Sequence, residues 1–476
     1  MNRRVQLILF PAMLISFGLL LLLAQRMPGF FANPTVLGEL LAFEIVLVGL
    51  SHFESAFFPL LMASFLWAGT SLPFHAAANS LRWLFLGVGA LGGFAIWIKN
   101  SRSHRFAAFH LVALFCVASA LVSAAVSELP RTALLKVLSL FLLFLYASAG
   151  ARLAIVGREK QFITGLVLAC EWLAYLSAIS YFVLDFSVFG NPNALGAVIG
   201  VVAVPVLFWA ALSAQTRALR WRRFLPLLLC AGLLYLSSSR ASILGATVAV
   251  LVLMVATRQQ RLLFQCAAVC LFILTVISVV NSSHMDDFVS SITHRIIYKD
   301  SSAGHEILES RLSPWAQTLA VIHQHPWFGS GFGTSELEGA RPNSIPSPVR
   351  TTPGWNREHG SSYLALTEYL GLLGALPFVL LLLMLSRRLI RAFRWIRSTA
   401  NPSHVSVPIA LVLIAGLVHA GFEDWLFAVG SYLCVFFWIC AFLFIDLLPA
   451  AEQSKAVFAP RAIAFPFAPQ VSHSPR

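Results

Sequence analysis

The sequence predicts an all-α polytopic membrane protein of about 12–14 transmembrane helices, and three observations carry that prediction. Of the 476 residues, 58% are hydrophobic and only 11% are charged, at a mean hydropathy of +0.81. Soluble domains keep charged residues near a quarter of their composition, so no soluble core hides this much apolar surface. The apolar runs are continuous rather than alternating, which argues against a β-barrel. Their lengths cluster around the roughly 20 residues that cross a hydrocarbon core about 30 Å thick.

The first run, Val5 to Ala24, follows Arg3 and Arg4. It lacks a small-x-small cleavage site and is followed by Gln25-Arg26-Met27-Pro28, so it reads as a retained span rather than a removed signal. Further spans are expected near residues 34–50, 55–72, 81–98, 106–126, 132–150, 162–184, 193–212, 224–237, 241–257, 261–280, 362–385, 405–421 and 428–448. Glu39 and Glu44 interrupt the second of the spans, and a very short link joins it to the third. With this numbering, basic clusters fall on one side: Arg3-Arg4, Lys99 to Arg105, Arg152 to Lys160, Arg217 to Arg223, Arg258 to Arg261, and Arg387 to Arg397. The positive-inside rule makes that side cytoplasmic, with both termini inside. The net charge of +13 therefore reports orientation in the membrane and not a nucleic-acid partner. All seven cysteines lie inside apolar runs, which argues against a disulfide framework and against a metal cluster.

The organisation expected is an N-terminal helical set at 1–160, a membrane domain at 161–448 that includes one large outward segment at 281–361, and a cytoplasmic tail at 449–476. The tail is rich in Ala, Pro and Phe and is expected to be poorly ordered. A connection as long as 281–361 between spans is more often functional than a mere linker.

The outward turns hold the chemistry. Gly190-Asn191-Pro192-Asn193 opens the eighth span, and a capped helix start accounts for it without any ligand. Ser237-Ser238-Ser239-Arg240 follows an apolar run short for a full crossing, which sets the turn at or below headgroup depth. Three hydroxyls, the free N–H groups of a helix start and a costly Arg240 favour an anionic ligand there; the alternative is an arginine paired with lipid phosphate or a carboxylate. In the long segment, Ser313-Pro314 reads as a helix cap followed by proline at the first position. Leu312, Trp315, Leu319 and Ile322 recur at helical spacing until Pro326, predicting a short amphipathic helix with Arg311 at its start. Gly329 to Gly333 reads as a flexible turn, too weak a pattern for a phosphate loop. His359 stands where an outward cavity meets the bilayer, preceded by Arg357. Glu171 and Glu368 are intramembrane carboxylates, rare and usually inward-facing. Glu423-Asp424-Trp425 closes the thirteenth span, where an outer arginine is the expected partner.

These stretches together resemble the O-antigen ligase and O-antigen polymerase superfamily of bacterial membrane glycosyltransferases. The resemblance is carried by Asn191 to Gly196, Ser237 to Ser242, Arg311 to Gly333 with His325-Pro326 and Gly329-Ser330-Gly331 at its centre, and His359 to Gly374. It implies a GT-C-like fold and transfer of a glycan from a polyprenyl-diphosphate donor to lipid A–core or to a growing glycan, at the periplasmic face of the inner membrane, without a nucleotide sugar. It places the catalytic histidine at His359 and the donor diphosphate contacts at Arg240 and Arg311, with Ser238, Asn191, Asn193, Arg357 and Glu368 as supporting candidates. One position departs: the family's usual Asn after the histidine is Gly360 here.

The chemistry agrees with those residue types. A sugar hydroxyl attacks the anomeric carbon while an already acidic lipid diphosphate leaves. Arginines hold and neutralise the leaving group, and a histidine takes the proton near neutral pH. Attack opposite the leaving group inverts the anomeric centre. No cofactor or metal is needed, since the first outward loop, Gln25 to Asn33, has no acid and the chain has no Asp-x-Asp. The expected partners are the lipid-linked donor, the acceptor and membrane lipids, with no nucleic acid. Ligase chemistry is favoured slightly over a repeat-unit polymerase. A lipid-linked sugar flippase, supported by Glu171 and Glu368, and an envelope scaffold are the readings from other classes.

Overall fold

The computed structural model describes residues 34–99, 107–261, 265, 268, 309–334, 359–399 and 402–448. Among them the ordered elements are helices, with no strand: α1 Pro34–Ser51, α2 Phe53–Ala68, α3 His75–Lys99, α4 Ala108–Ala125, α5 Pro130–Ile155, α6 Glu159–Phe182, α7 Pro192–Leu212, α8 Arg217–Leu236, α9 Arg240–Ala256, α10 Glu309–Gln324, α11 Ser362–Thr399, α12 Ser406–His419 and α13 Tyr432–Leu447. Six of them (α3, α4, α5, α6, α7 and α11) are long and apolar enough to cross a membrane, and α2, α9, α12 and α13 are shorter apolar helices. The chain is an all-α polytopic membrane protein. The expected first span, most of the span at 261–280, the segments 281–308 and 335–358, and the tail lie outside the described residues.

Helix starts follow from local chemistry. The Asn191 side chain accepts from Asn193 N at 2.9 Å, with Pro192 at the first position of α7, satisfying an N–H that has no partner within the helix. Thr216 caps α8 in the same way, accepting from Leu219 N at 3.2 Å. Two helices run further than apolarity alone predicts. The α8 helix begins at Arg217 and is 20 residues long, but its first two turns carry four arginines, so the apolar stretch before Ser237 stays short for a full crossing. Arginine is a good helix former, and its stem lies along apolar surface while its head reaches water. The same physics carries α11 through Arg387 to Arg397.

The helices α12 and α13 form the centre. Both are apolar on every face, as a helix buried all round must be, and Phe437, Trp438, Phe442 and Phe444 are almost fully buried. The two ends of the bundle differ. At the end with the basic clusters, Arg152 Nε meets Asp446 Oδ2 at 2.8 Å, Arg158 meets Glu54 at 2.5 Å, and Trp209 Nε1 donates to Pro402 O at 2.6 Å. At the other end, Ser71 N donates to Val188 O at 2.8 Å, Ser127 Oγ and Thr334 Oγ1 are 2.9 Å apart, and Tyr432 OH donates to Ala194 O at 2.9 Å. The candidate site lies at this second end.

Candidate active site

The α10 helix begins at Glu309, so Pro314 sits inside it and the Ser313-Pro314 start is corrected. Proline has no N–H for the carbonyl four residues back, so an internal hydrogen bond is forfeited there. Thr318 and Val321 are buried, whereas Leu312 and Leu319 are exposed. The face that packs inward is selected by α11 and the His359 turn, which α10 meets through Trp315 Nε1 donating to Gly360 O at 3.1 Å.

The segment after α10 is not a flexible turn. It docks into a break in α11, where Gly371 adopts φ 67° and interrupts the helical backbone. Four backbone hydrogen bonds close the joint: Ser330 N to Glu368 O at 3.0 Å, Gly331 N to Tyr369 O at 3.2 Å, Leu372 N to Pro326 O at 2.7 Å and Leu373 N to Trp327 O at 3.3 Å. Breaking α11 frees these carbonyls and N–H groups, and the glycine segment satisfies them, as buried backbone demands. The approach needs glycine on both sides. A Cβ on Gly329, at φ 73°, would stand 2.4 Å from Tyr369 C and O, and one on Gly371 would stand 2.3 Å from Trp327 C. The consequence is a fixed placement of α10, with Arg311, against the turn of α11 that carries Glu368 and Tyr369.

His359 is 2% exposed and held from several sides. Its Nδ1 is 2.9 Å from Asp424 Oδ2, and its backbone N donates to the same oxygen at 3.2 Å. Its Nε2 is 3.4 Å from Glu368 Oε1, and Tyr369 OH lies 3.4 Å from Nδ1. An ionised carboxylate only accepts, so the shorter contact with Asp424 favours the proton of the neutral ring on Nδ1, and Nε2, facing Glu368, is the nitrogen that gains and loses the second proton. Burial opposes charge on the ring, but the hydrogen bonds and negative charges of Asp424 and Glu368 outweigh it and raise the His359 pKa above the ordinary histidine value. Glu368 itself is fully buried.

Arg311 joins the same cluster. Its Nη2 pairs with Glu423 Oε1, the two side chains being 16% and 20% exposed. Glu423 is fixed in turn, since Ser362 N and Oγ donate to its carbonyl at 3.0 and 2.5 Å. A Cβ on Gly360 would lie 3.3 Å from Arg311 Cδ, so the arginine stem packs directly beside the histidine turn. Gly360 has φ 67°, a left-handed conformation that Gly and Asn accept more readily than other residues. The departure from Asn therefore keeps the backbone while removing the amide. A guanidinium carries five N–H donors, so the contact with Glu423 does not preclude an anion on its other edge.

Arg240 opens α9, half-buried, and its charge and that of Arg311 act on one another. The serines beside it divide. Ser237 Oγ donates to Leu234 O at 2.7 Å and Ser239 Oγ pairs with Ser242 Oγ at 2.7 Å, both turned into the protein. Ser238 is half-buried, at φ 52°. Asn191 and Asn193 sit at the start of α7, which touches this turn: a Cβ on Gly196 would be 2.5 Å from Ser239 Cβ. The Asn191 side chain is engaged in capping. Arg357 lies outside the described residues.

Sequence reasoning paired Glu423 with an arginine, as found, and missed Asp424 as the histidine's partner. The signal available was an acidic pair at the end of a span facing a histidine at the start of another. Glu171 Oε2 faces Arg222 Nη2 at 3.4 Å and Glu368 faces His359, so the two intramembrane carboxylates serve separate partners and do not line one path.

A buried histidine held by two carboxylates, with the Arg311–Glu423 pair beside it, can exchange a proton next to a fixed positive charge. Residues 225–379, about a third of the chain, match the O-antigen ligase family model (Wzy_C). That stretch is similar to the O-antigen ligase family, and it contains Arg240, Arg311, His359 and Glu368. No curated protein matches the chain.

Proposed function

We propose that the protein moves a glycan from a polyprenyl-diphosphate donor to an acceptor hydroxyl, of the lipid A–core type, at the periplasmic face of the bacterial inner membrane. The observation that carries this reading is the continuous linkage Arg311–Glu423–Asp424–His359, which ties an anion-holding group to a base through two adjacent acids. The acceptor O–H attacks the anomeric carbon, its proton passes to His359 Nε2, and the bond to the diphosphate breaks with its electron pair on the leaving oxygen. Arg240 and Arg311 balance that charge. Asp424 holds the ring, and Glu368 stabilises it once protonated.

Feeding purified protein a lipid-linked repeat with and without lipid A–core tests the reading. Transfer only in the presence of the core acceptor is expected. Chain growth without it assigns the protein to the repeat-unit polymerases, and translocation in liposomes without transfer assigns it to the flippases. Treatment with a strong chelator is expected to leave the rate unchanged.

Asp424→Asn gives a second test. A base with a raised pKa acts only once deprotonated, so the acid limb of the rate–pH profile should lie above pH ~6.5, the ordinary histidine value. Removing the Asp424 charge takes away one of the causes of that rise, so the limb should move to lower pH while the maximal rate falls. An unmoved limb would show that another group sets it.

A further inference from the structure

On the far side of α7 from Arg240, a cavity of about 520 Å³ opens between α2, α5, α6, α7 and α13. Its walls are apolar, with Phe58, Met62, Leu66, Leu173, Val202 and Phe436 among them, while Glu54, Ser55, Arg158 and Gln161 gather at one mouth. That mouth is the basic end of the bundle. Arg158 Nη2 meets Glu54 Oε2 at 2.5 Å and its Nη1 donates to Glu54 O at 2.8 Å, with the side chains 39% and 42% exposed. Glu54 sits in a π-helical turn, Phe53–Phe57, a local irregularity that recurs at functional positions. The floor is kept low by Gly165 and Ala169 of α6, both exposed; a Cβ on Gly165 would meet nothing within 4 Å.

A void of this size in hydrocarbon does not stay empty, because its lining would forgo dispersion contacts on one side. From Gln161 to Leu173 the floor runs about 18 Å along α6 at the helical rise. One leaflet's chains cover a comparable depth, about half of a 30 Å core. The headgroup end is decided by charge. The mouth presents one cation and one anion side by side, which complements a zwitterion and not a headgroup of single sign.

We propose that this groove binds one aminophospholipid of the inner leaflet, an acyl chain against α6, its phosphate at Arg158 and its ammonium at Glu54. The donor's prenyl chain is the poorer occupant. The face of α7 carrying Gly196 and Gly200 contacts Ser239 and Ser242 beside Arg240, whereas Val198 and Val202, on the other face, line the groove. A lipid anchored at Arg240 therefore meets the wrong side of α7.

The full-length protein, extracted in mild detergent and examined by native mass spectrometry, is expected to retain one phosphatidylethanolamine per chain. Gly165→Leu, which fills open space, should lower that retention about tenfold or more with an unchanged elution profile. Glu54→Gln should erase the preference for phosphatidylethanolamine over phosphatidylglycerol. In vesicles containing phosphatidylethanolamine with a photoreactive acyl chain, labelling should fall on peptides of α2 and α6. Equal retention by Gly165→Leu and the unaltered protein would overturn the proposal. So would labelling confined to other helices, or cysteine cross-links that seat the Val5 to Ala24 segment or a second copy on Gly165.

Discussion

His359→Ala is expected to abolish glycan transfer while the protein still inserts and elutes as a single species. Loss of a positioned proton acceptor costs roughly 10²–10⁴-fold in rate, and the loss of geometry around it adds to that. His359 is buried between Asp424 and Glu368, so alanine leaves two carboxylates facing a small void without their common partner. The structural cost is therefore confined to the site and is separable from the chemical one by His359→Gln, which restores most of the volume and a donor to Asp424 but no base. Both variants are expected to be inactive in the purified transfer assay, and His359→Gln to keep the thermal stability of the unaltered protein. Full activity in either would remove the histidine from the mechanism.

The second large effect is expected at a residue that touches no substrate. Gly329→Ala places a Cβ 2.4 Å from the Tyr369 backbone, at φ 73°. The left-handed conformation alone costs an L-residue about 1–2 kcal/mol, and the overlap is with backbone, which has no rotamer to yield. The segment 326–334 must then leave the break in α11, taking with it the placement of α10 and of Arg311 against the His359 turn. A fall in thermal stability together with loss of transfer is the predicted result. Gly87→Ala is the control, since a Cβ there meets nothing within 4 Å, and it should change neither property. Unaltered activity in Gly329→Ala would mean that the joint between α10 and α11 does not position the site.

Arg240→Ala and Arg311→Ala separate binding from proton transfer. Each is expected to raise KM for the lipid-linked donor and to lower kcat, because the charge they balance grows in the transition state. Arg311→Lys should recover only part of the loss, as a point charge cannot grip two oxygens in a plane. Measuring both constants with one donor at several concentrations checks this.

Much of the fold was legible because a membrane helix must satisfy its own backbone and hide its polarity, which leaves long apolar runs in the sequence. The orientation is read from the arginine clusters alone. What was not legible depended on partners distant in sequence. Gly329 to Gly333 looked loose because glycine runs usually are, and only the break at Gly371 in another helix makes them rigid. Asp424 lies 65 residues from the ring that it orients, and no spacing rule links the two. The local bonds of Ser237 and Ser239 were not legible either: short polar side chains satisfy themselves on nearby backbone and one another.

The account rests on Arg240, Arg311 and His359 serving one ligand at one end of the bundle. A structure determined with a bound, non-transferable polyprenyl diphosphate sugar is the most direct measurement of it. The account predicts diphosphate oxygens within hydrogen-bonding distance of both guanidinium groups and the anomeric carbon on the side of His359 Nε2. A diphosphate held elsewhere, or by only one of the arginines with the sugar turned away from the histidine, would contradict it.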